Sequence, residues 1–150
     1  MPSVAAAADI AAAPKAIWEL MSDPHRYPEF ADPTDRMIDV PDSEFGVGYT
    51  YKEYGGVPPF KSESVWTVTV HEPMTRQVRA GDDGQMRFDL DIVLTSVPAG
   101  TRLVMTLDLR PRWYLAALTW LMWPVLMRKR AQQAMDRTVA NTKRLAEAGR

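Results

Sequence analysis

Cysteine is absent from the chain, which excludes disulfides, thiolate metal sites and cysteine nucleophiles together. Its absence removes the usual framework of a small secreted domain and fits a reducing, cytoplasmic setting. Histidine occurs only as His25 and His71. Neither stands at HExxH-type spacing from a second ligand, so both are expected to be surface or capping residues, with no metal and no cofactor. Gly46-Val47-Gly48 is a bare pair of glycines in a turn. It lacks the third glycine and the strand–turn–helix setting of a phosphate cradle. No serine occupies a G-x-S-x-G elbow. The apolar run from Trp113 to Met127 is 15 residues long and contains Pro124, short of the roughly 20 residues that a spanning helix needs. The alanine-rich stretch Val4–Ala13 has no basic flank and is broken by Asp9, so no signal peptide is expected.

What remains is an ordinary globular composition. With 150 residues, 46% hydrophobic and 25% charged, residues 1–150 are read as a single domain able to bury roughly 70% of its unfolded surface. The net charge of −1 is unevenly divided: residues 128–150 carry +5 and residues 1–127 carry −6. A basic terminal helix suits an anionic membrane or a nucleic acid, or is simply a solvated face complementing an acidic sheet edge. The interspersed Gln, Asp and Glu favour the solvated face. Nucleic acid is disfavoured because the aromatics lie in the apolar half, away from the basic residues.

Periodicity places the elements. Ser3–Ile10 alternates weakly and predicts a first strand. Pro14 suits the first turn of a helix, and Ile17, Leu20 and Met21 recur at helical spacing over 14–22. Asp23-Pro24 starts a second short helix, with Tyr27 and Phe30 facing inward, that stops at Asp32-Pro33. Strands are then expected at 35–41, 48–54, 61–72, 75–80, 85–96 and 101–110, separated by turns at 45–48, 55–59, 81–84 and 98–100. Met86, Phe88, Leu90, Ile92 and Leu94 share one face, opposite Arg87, Asp89 and Asp91. Leu103, Met105, Leu107 and Leu109 repeat the pattern against Arg102, Thr106 and Asp108. This is a sheet with one apolar and one wet face. From Leu115 to Ala148 the chain reads as one helix of about 50 Å. The expected class is therefore α+β, a seven-stranded antiparallel sheet with two short helices after strand 1 and a long C-terminal helix.

Several of these segments resemble a known family. Ile10 to Phe30, with the pair Ile17-Trp18 and the Asp23-Pro24 to Phe30 segment, is similar to the opening of the START-like (SRPBCC) superfamily. Val47-Gly48-Tyr49-Thr50-Tyr51, the corner Val70 to Arg76 and the ending Met127 to Leu145 resemble the same family. The branch most resembled is that of polyketide cyclase/dehydrase-like and lipid-transport-like proteins. The resemblance implies a helix-grip fold, in which a curved sheet holds the terminal helix with an apolar cavity between them.

Tyr51, Trp66, Val68, Met86, Phe88, Leu90, Met105 and Leu107 are expected to face the helix, where Met122, Val125, Met135 and Val139 lie near a common face. Apart from Val125, these are the candidate ligand-binding residues, for a lipid, polyketide or similar molecule. For most of them the plain alternative is a solid core. Nine methionines and the difficulty of filling the space between a bent sheet and a straight helix favour a cavity. No catalytic residue is assigned. Among Tyr51, Glu53, Asp108 and Arg110, only Tyr51 and Glu53 share the inward phase, and a polyketide aromatase/cyclase remains the enzymatic alternative. Trp113, Tyr114, Trp120 and Trp123 precede Arg128-Lys129-Arg130 and together form a candidate peripheral membrane contact. The alternatives for these rings are core packing or a homodimer contact, the latter making the protein a regulatory or interaction module.

Overall fold

A computed structural model describes residues 2–58 and 60–149, so Pro59 of the expected 55–59 turn lies outside it. The strands are β1 (Ser3–Ile10), β2 (Thr34–Asp39), β3 (Thr50–Gly55), β4 (Ser62–Glu72), β5 (Arg76–Asp82), β6 (Met86–Val97) and β7 (Gly100–Pro111). They form one antiparallel sheet in the order β1-β7-β6-β5-β4-β3-β2. β2 to β7 pair with their sequence neighbours because turns link them, while β1 joins the far edge beside β7. Bulges in the β2–β3 and β4–β5 ladders bend the sheet. The period-two alternation of β6 and β7 puts Ile92, Leu94, Leu103, Met105 and Leu109 inside. Arg76 pairs with Asp91, Arg110 with Asp89 and Arg102 with Asp9 across the wet face.

Helix α1 (Pro14–Met21) buries Ile17, Trp18, Leu20 and Met21. A 3₁₀ turn over Pro24–Arg26, capped by the Asp23 carboxylate, leads into α2 (Tyr27–Phe30). The C-terminal stretch is helical from Trp113 to Ala148, in pieces: a 3₁₀ turn (Trp113–Leu115), α3 (Ala116–Met122), a π turn (Trp123–Met127) and α4 (Arg128–Ala148). The π turn falls at Pro124, which has no N–H to give to the regular ladder. It corrects the expectation of a uniform helix, because its wider turn rotates the residues on either side out of a shared phase.

Helix α4 buries Ala131, Ala134, Met135, Thr138, Val139, Thr142 and Ala146, a stripe at helical spacing made mostly of small residues. It lies chiefly along β1, whose outer edge it covers. Gln132 donates to the Ala5 carbonyl at 2.7 Å, Lys143 donates to the Asp9 carbonyl at 2.8 Å, and Glu147 accepts from the Ala11 N–H at 2.8 Å. These bonds satisfy backbone groups that a bare edge strand would expose.

The interior is solid at one end only. Around α1, Ile10, Ile17, Met21, Ile92 and Leu103 are fully shielded. Toward α3, the inward residues Met86, Phe88, Leu90 and Leu107 are only half-buried.

Candidate functional site

The half-buried end is a hollow of about 270 Å³ between the inner face of the sheet and the α3–α4 segment. That is just below the roughly 300 Å³ at which pockets for drug-sized ligands begin. Its roof comes from α3, the π turn and the start of α4, through Leu115, Leu118, Met122, Trp123, Leu126, Ala131 and Ala134. The floor is Trp66, Phe88, Leu90, Met105 and Leu107. Val57, Pro58 and Phe60, between β3 and β4, border it, and Arg130 Nη1 closes that side by donating to the Pro58 carbonyl at 2.7 Å. Two sequence features keep the space open. Ala131 and Ala134 put only methyl groups on the roof, and Gly81 lets the Trp66 ring lie flat across β5. A Cβ on Gly81 would fall 2.7 Å from that ring. Trp66 therefore reaches past Gly81 to stack on Phe88, with ring centroids 5.7 Å apart and planes at 16°.

One wall is polar. The inward phase of β5 is occupied by Gln77, Arg79 and Gly81 rather than by aliphatic residues. Arg79, 4% exposed, lines the hollow. Its Nε donates to Gln77 Oε1 at 2.7 Å, Nη1 to the Tyr51 hydroxyl at 3.3 Å and Nη2 to the Met21 carbonyl at 2.8 Å. Its guanidinium carbon lies 4.4 Å from the centre of the Tyr27 ring. The Met21 carbonyl ends α1, where the helix leaves its last acceptors without partners. It also accepts from the Tyr27 hydroxyl at 2.5 Å. Nη2 also donates to the Met21 sulfur at 4.0 Å, so Arg79 ties α1 to the sheet and retains N–H capacity on Nη1. No carboxylate forms an ion pair with it among the described residues.

Glu53 lines the same wall and accepts from Thr34 Oγ1 at 2.9 Å. Burial pushes its carboxyl above the ordinary value, partly offset by Thr34 and Arg79. Burial likewise raises the Tyr51 and Tyr27 phenols well above theirs, so both remain protonated. Desolvation works against the Arg79 charge, but Tyr27, Tyr51 and Glu53 more than offset it and its pKa stays raised. Trp66 Nε1 donates to Ser64 Oγ at 2.9 Å. The result is an apolar chamber with a fixed cation, a phenol and a carboxyl on one side.

Of the candidate ligand residues, Tyr51, Trp66, Met86, Phe88, Leu90, Met105, Leu107, Met122 and Met135 line the hollow. Val68 and Val139 do not. Both are buried in the solid part of the interior, Val68 one inward step along β4 from Trp66 and Val139 a turn beyond Met135. Val125 points to solvent, 77% exposed, because the π turn rotates it away from Met122. Trp123, grouped with the outward aromatics, instead lines the hollow for the same reason, and Arg130 sits at its border. Trp113, Tyr114 and Trp120 are exposed. His71 is half-buried: its ring lies 5.1 Å from Trp18 and 5.7 Å from Phe45, with Nδ1 buried and without a hydrogen-bond partner. No cluster of three metal-ligand side chains occurs among the described residues. Arg79 escaped the sequence reading. The signal was present in the polar–apolar phase of Gln77-Val78-Arg79-Ala80, which runs opposite to that of its neighbours.

A bent antiparallel sheet gripping a terminal helix, with an apolar hollow between them, defines a START-like helix-grip domain. The chain belongs to the polyketide cyclase/dehydrase and lipid transport family, whose model matches residues 1–147. Solved structures share the fold at low identity. TTHA0849 of Thermus thermophilus has a TM-score of 0.78 at 18% identity, with 99% of each chain covered. SA2116 of Staphylococcus aureus has a TM-score of 0.72 at 7% identity, covering 98% of this chain and 94% of its own. A Deinococcus radiodurans protein has a TM-score of 0.68 at 16% identity over the full length of both chains. No curated protein sequence matches this one. Among the described residues, no helix is long and apolar enough to cross a membrane.

Proposed function

We propose that this protein binds and carries an apolar small molecule, of lipid or polyketide type, in the hollow between the sheet and the C-terminal helices, without covalent chemistry. The observation that carries this reading is the chamber itself: apolar on most sides, with Arg79, Tyr51 and Glu53 gathered on one wall. Burial of the apolar body supplies most of the affinity, at roughly 25 cal/mol per Å² before the costs of association. The polar wall selects orientation. An oxygen acceptor on the ligand faces the spare N–H of Arg79 Nη1, and a hydroxyl faces Glu53. The ligand class is thus an amphiphile with an oxygen-bearing head and an apolar body. Native mass spectrometry of freshly purified protein tests this, with one co-purified apolar molecule per chain expected. Phe88→Arg or Leu107→Arg, placing a charge in the chamber, should abolish apolar-dye binding; unchanged affinity in a folded variant would contradict the reading.

A second reading, a polyketide cyclase-type enzyme, is favoured by the same polar wall. Glu53 with its raised pKa, Tyr51 and Arg79 form a set able to polarise a carbonyl and move a proton. Glu53→Gln separates the two readings. A carrier keeps its ligand affinity and shows no turnover of an acyl-carrier-bound poly-ketone in either form, whereas an enzyme turns it over and loses that activity with the substitution.

A further inference from the structure

The roof of the chamber has a second apolar face, turned outward. Helices in water hide one apolar stripe and wet the other side. Here Leu115, Leu118, Met122, Trp123 and Leu126 line the chamber. Trp113, Trp120, Leu121 and Val125 on the outer side are 87%, 71%, 72% and 77% exposed. Nothing in the fold requires these four to be apolar. No element among the described residues covers them, and an exposed apolar cluster of this kind marks an interaction site.

The charge beside them indicates what covers them. From Leu109 to Met135 the sequence contains no aspartate or glutamate, yet it holds Arg110, Arg112, Arg128, Lys129 and Arg130. Arg110 and Arg112 are spent on Asp89 and Asp82, and Arg130 on the Pro58 carbonyl. Arg128 and Lys129 are exposed and have no ion pair among the described residues. Indole rings and aliphatic side chains next to unpaired cations match the two layers of a bilayer surface: acyl boundary beneath, anionic headgroups above. A second copy of the chain fits less well. A two-fold contact through this face would bring together two segments that each carry five basic residues and no carboxylate to offset them.

We infer that Trp113, Trp120, Leu121 and Val125, flanked by Arg128 and Lys129, dock the roof of the chamber on an anionic membrane surface. Docking places the Arg130–Pro58 contact that closes one side of the chamber near the lipid, so breaking that contact would let an apolar ligand pass between bilayer and protein with little contact with water. The docking residues do not line the hollow, so this inference and the ligand-binding reading fail separately.

Co-sedimentation of the full chain with vesicles of phosphatidylcholine and phosphatidylglycerol in equal parts, at low salt, tests it. The native protein should pellet with these vesicles, and far less with pure phosphatidylcholine or at high salt. Arg128→Gln and Lys129→Gln should each weaken the partition about fivefold. Trp120→Ser with Val125→Ser should weaken it at least as much while leaving apolar-dye binding and the circular dichroism spectrum unchanged. Native protein that stays in the supernatant at low salt overturns the proposal, as do folded variants that pellet like the native chain. So does a dimer that Trp120→Ser with Val125→Ser dissolves in the absence of vesicle binding, which would assign the face to a second copy.

Discussion

Arg79 and Glu53 are polar groups held in an apolar interior, and each makes the protein's behaviour sensitive to a single substitution. Arg79 satisfies the Met21 carbonyl and Gln77 Oε1. Arg79→Met leaves Gln77 Oε1 buried without a donor and the Met21 carbonyl with the Tyr27 hydroxyl alone, and should cost about 1–3 kcal/mol in chemical denaturation. Glu53 sets a pH dependence. Its folded-state pKa is raised above the ordinary 4.5, chiefly by burial, so the folded chain holds this proton at pH values where the unfolded chain has lost it. The stability Glu53 contributes is full below the ordinary value and is lost as pH rises through the raised one. Glu53→Gln keeps an acceptor for Thr34 and has no charge to bury, so its melting temperature should fall less between acid and neutral pH than the native protein's. Parallel pH profiles would show that Glu53 is solvated in the fold. At this scale the sequence reading reached the aromatic and aliphatic lining through strict alternation, and missed Arg79. Alternation marks which side a residue faces, but a charged side chain defaults to the wet side unless its own strand's phase is checked against its neighbours.

The elements decide whether there is room. Small residues on the inward stripe of α4 and Gly81 on β5 are the two places where the chain withholds volume. Gly81→Ala drives a methyl group into the Trp66 ring and should cost about 1–3 kcal/mol, with the near-ultraviolet tryptophan dichroism reporting the displaced indole. All seven strands and both early helices were legible in the sequence, because turn residues and period-two patterning coincide at almost every boundary. The long terminal helix was legible as an element but not in its phase. The π turn at Trp123–Met127 exchanges the expected directions of Trp123 and Val125, and helical spacing assumes a uniform 3.6-residue turn that a proline inside an apolar run interrupts. Val68 and Val139 faced inward as expected, yet belong to the solid end of the interior. Periodicity gives the facing side, whereas the position of a void along that side depends on how far α1 extends beneath the sheet.

For the whole molecule, the division of the interior into a filled end under α1 and a hollow end under α3 is the feature on which the proposed ligand binding rests. The fold is common to proteins as little as 7% identical, so it is maintained by patterning rather than by particular side chains, and the hollow's lining is free to set the choice of ligand. The most direct measurement is calorimetric titration of an apolar fluorescent probe into the native protein and into Ala134→Leu, which adds volume to the roof at a buried position bordering the hollow. The account expects one probe molecule per native chain and a loss of at least tenfold in affinity in Ala134→Leu, with its melting temperature unchanged or higher because a void has been filled. Equal probe affinity in the two proteins, with Ala134→Leu destabilised as an overfilled core would be, would contradict the existence of a ligand chamber between sheet and helix.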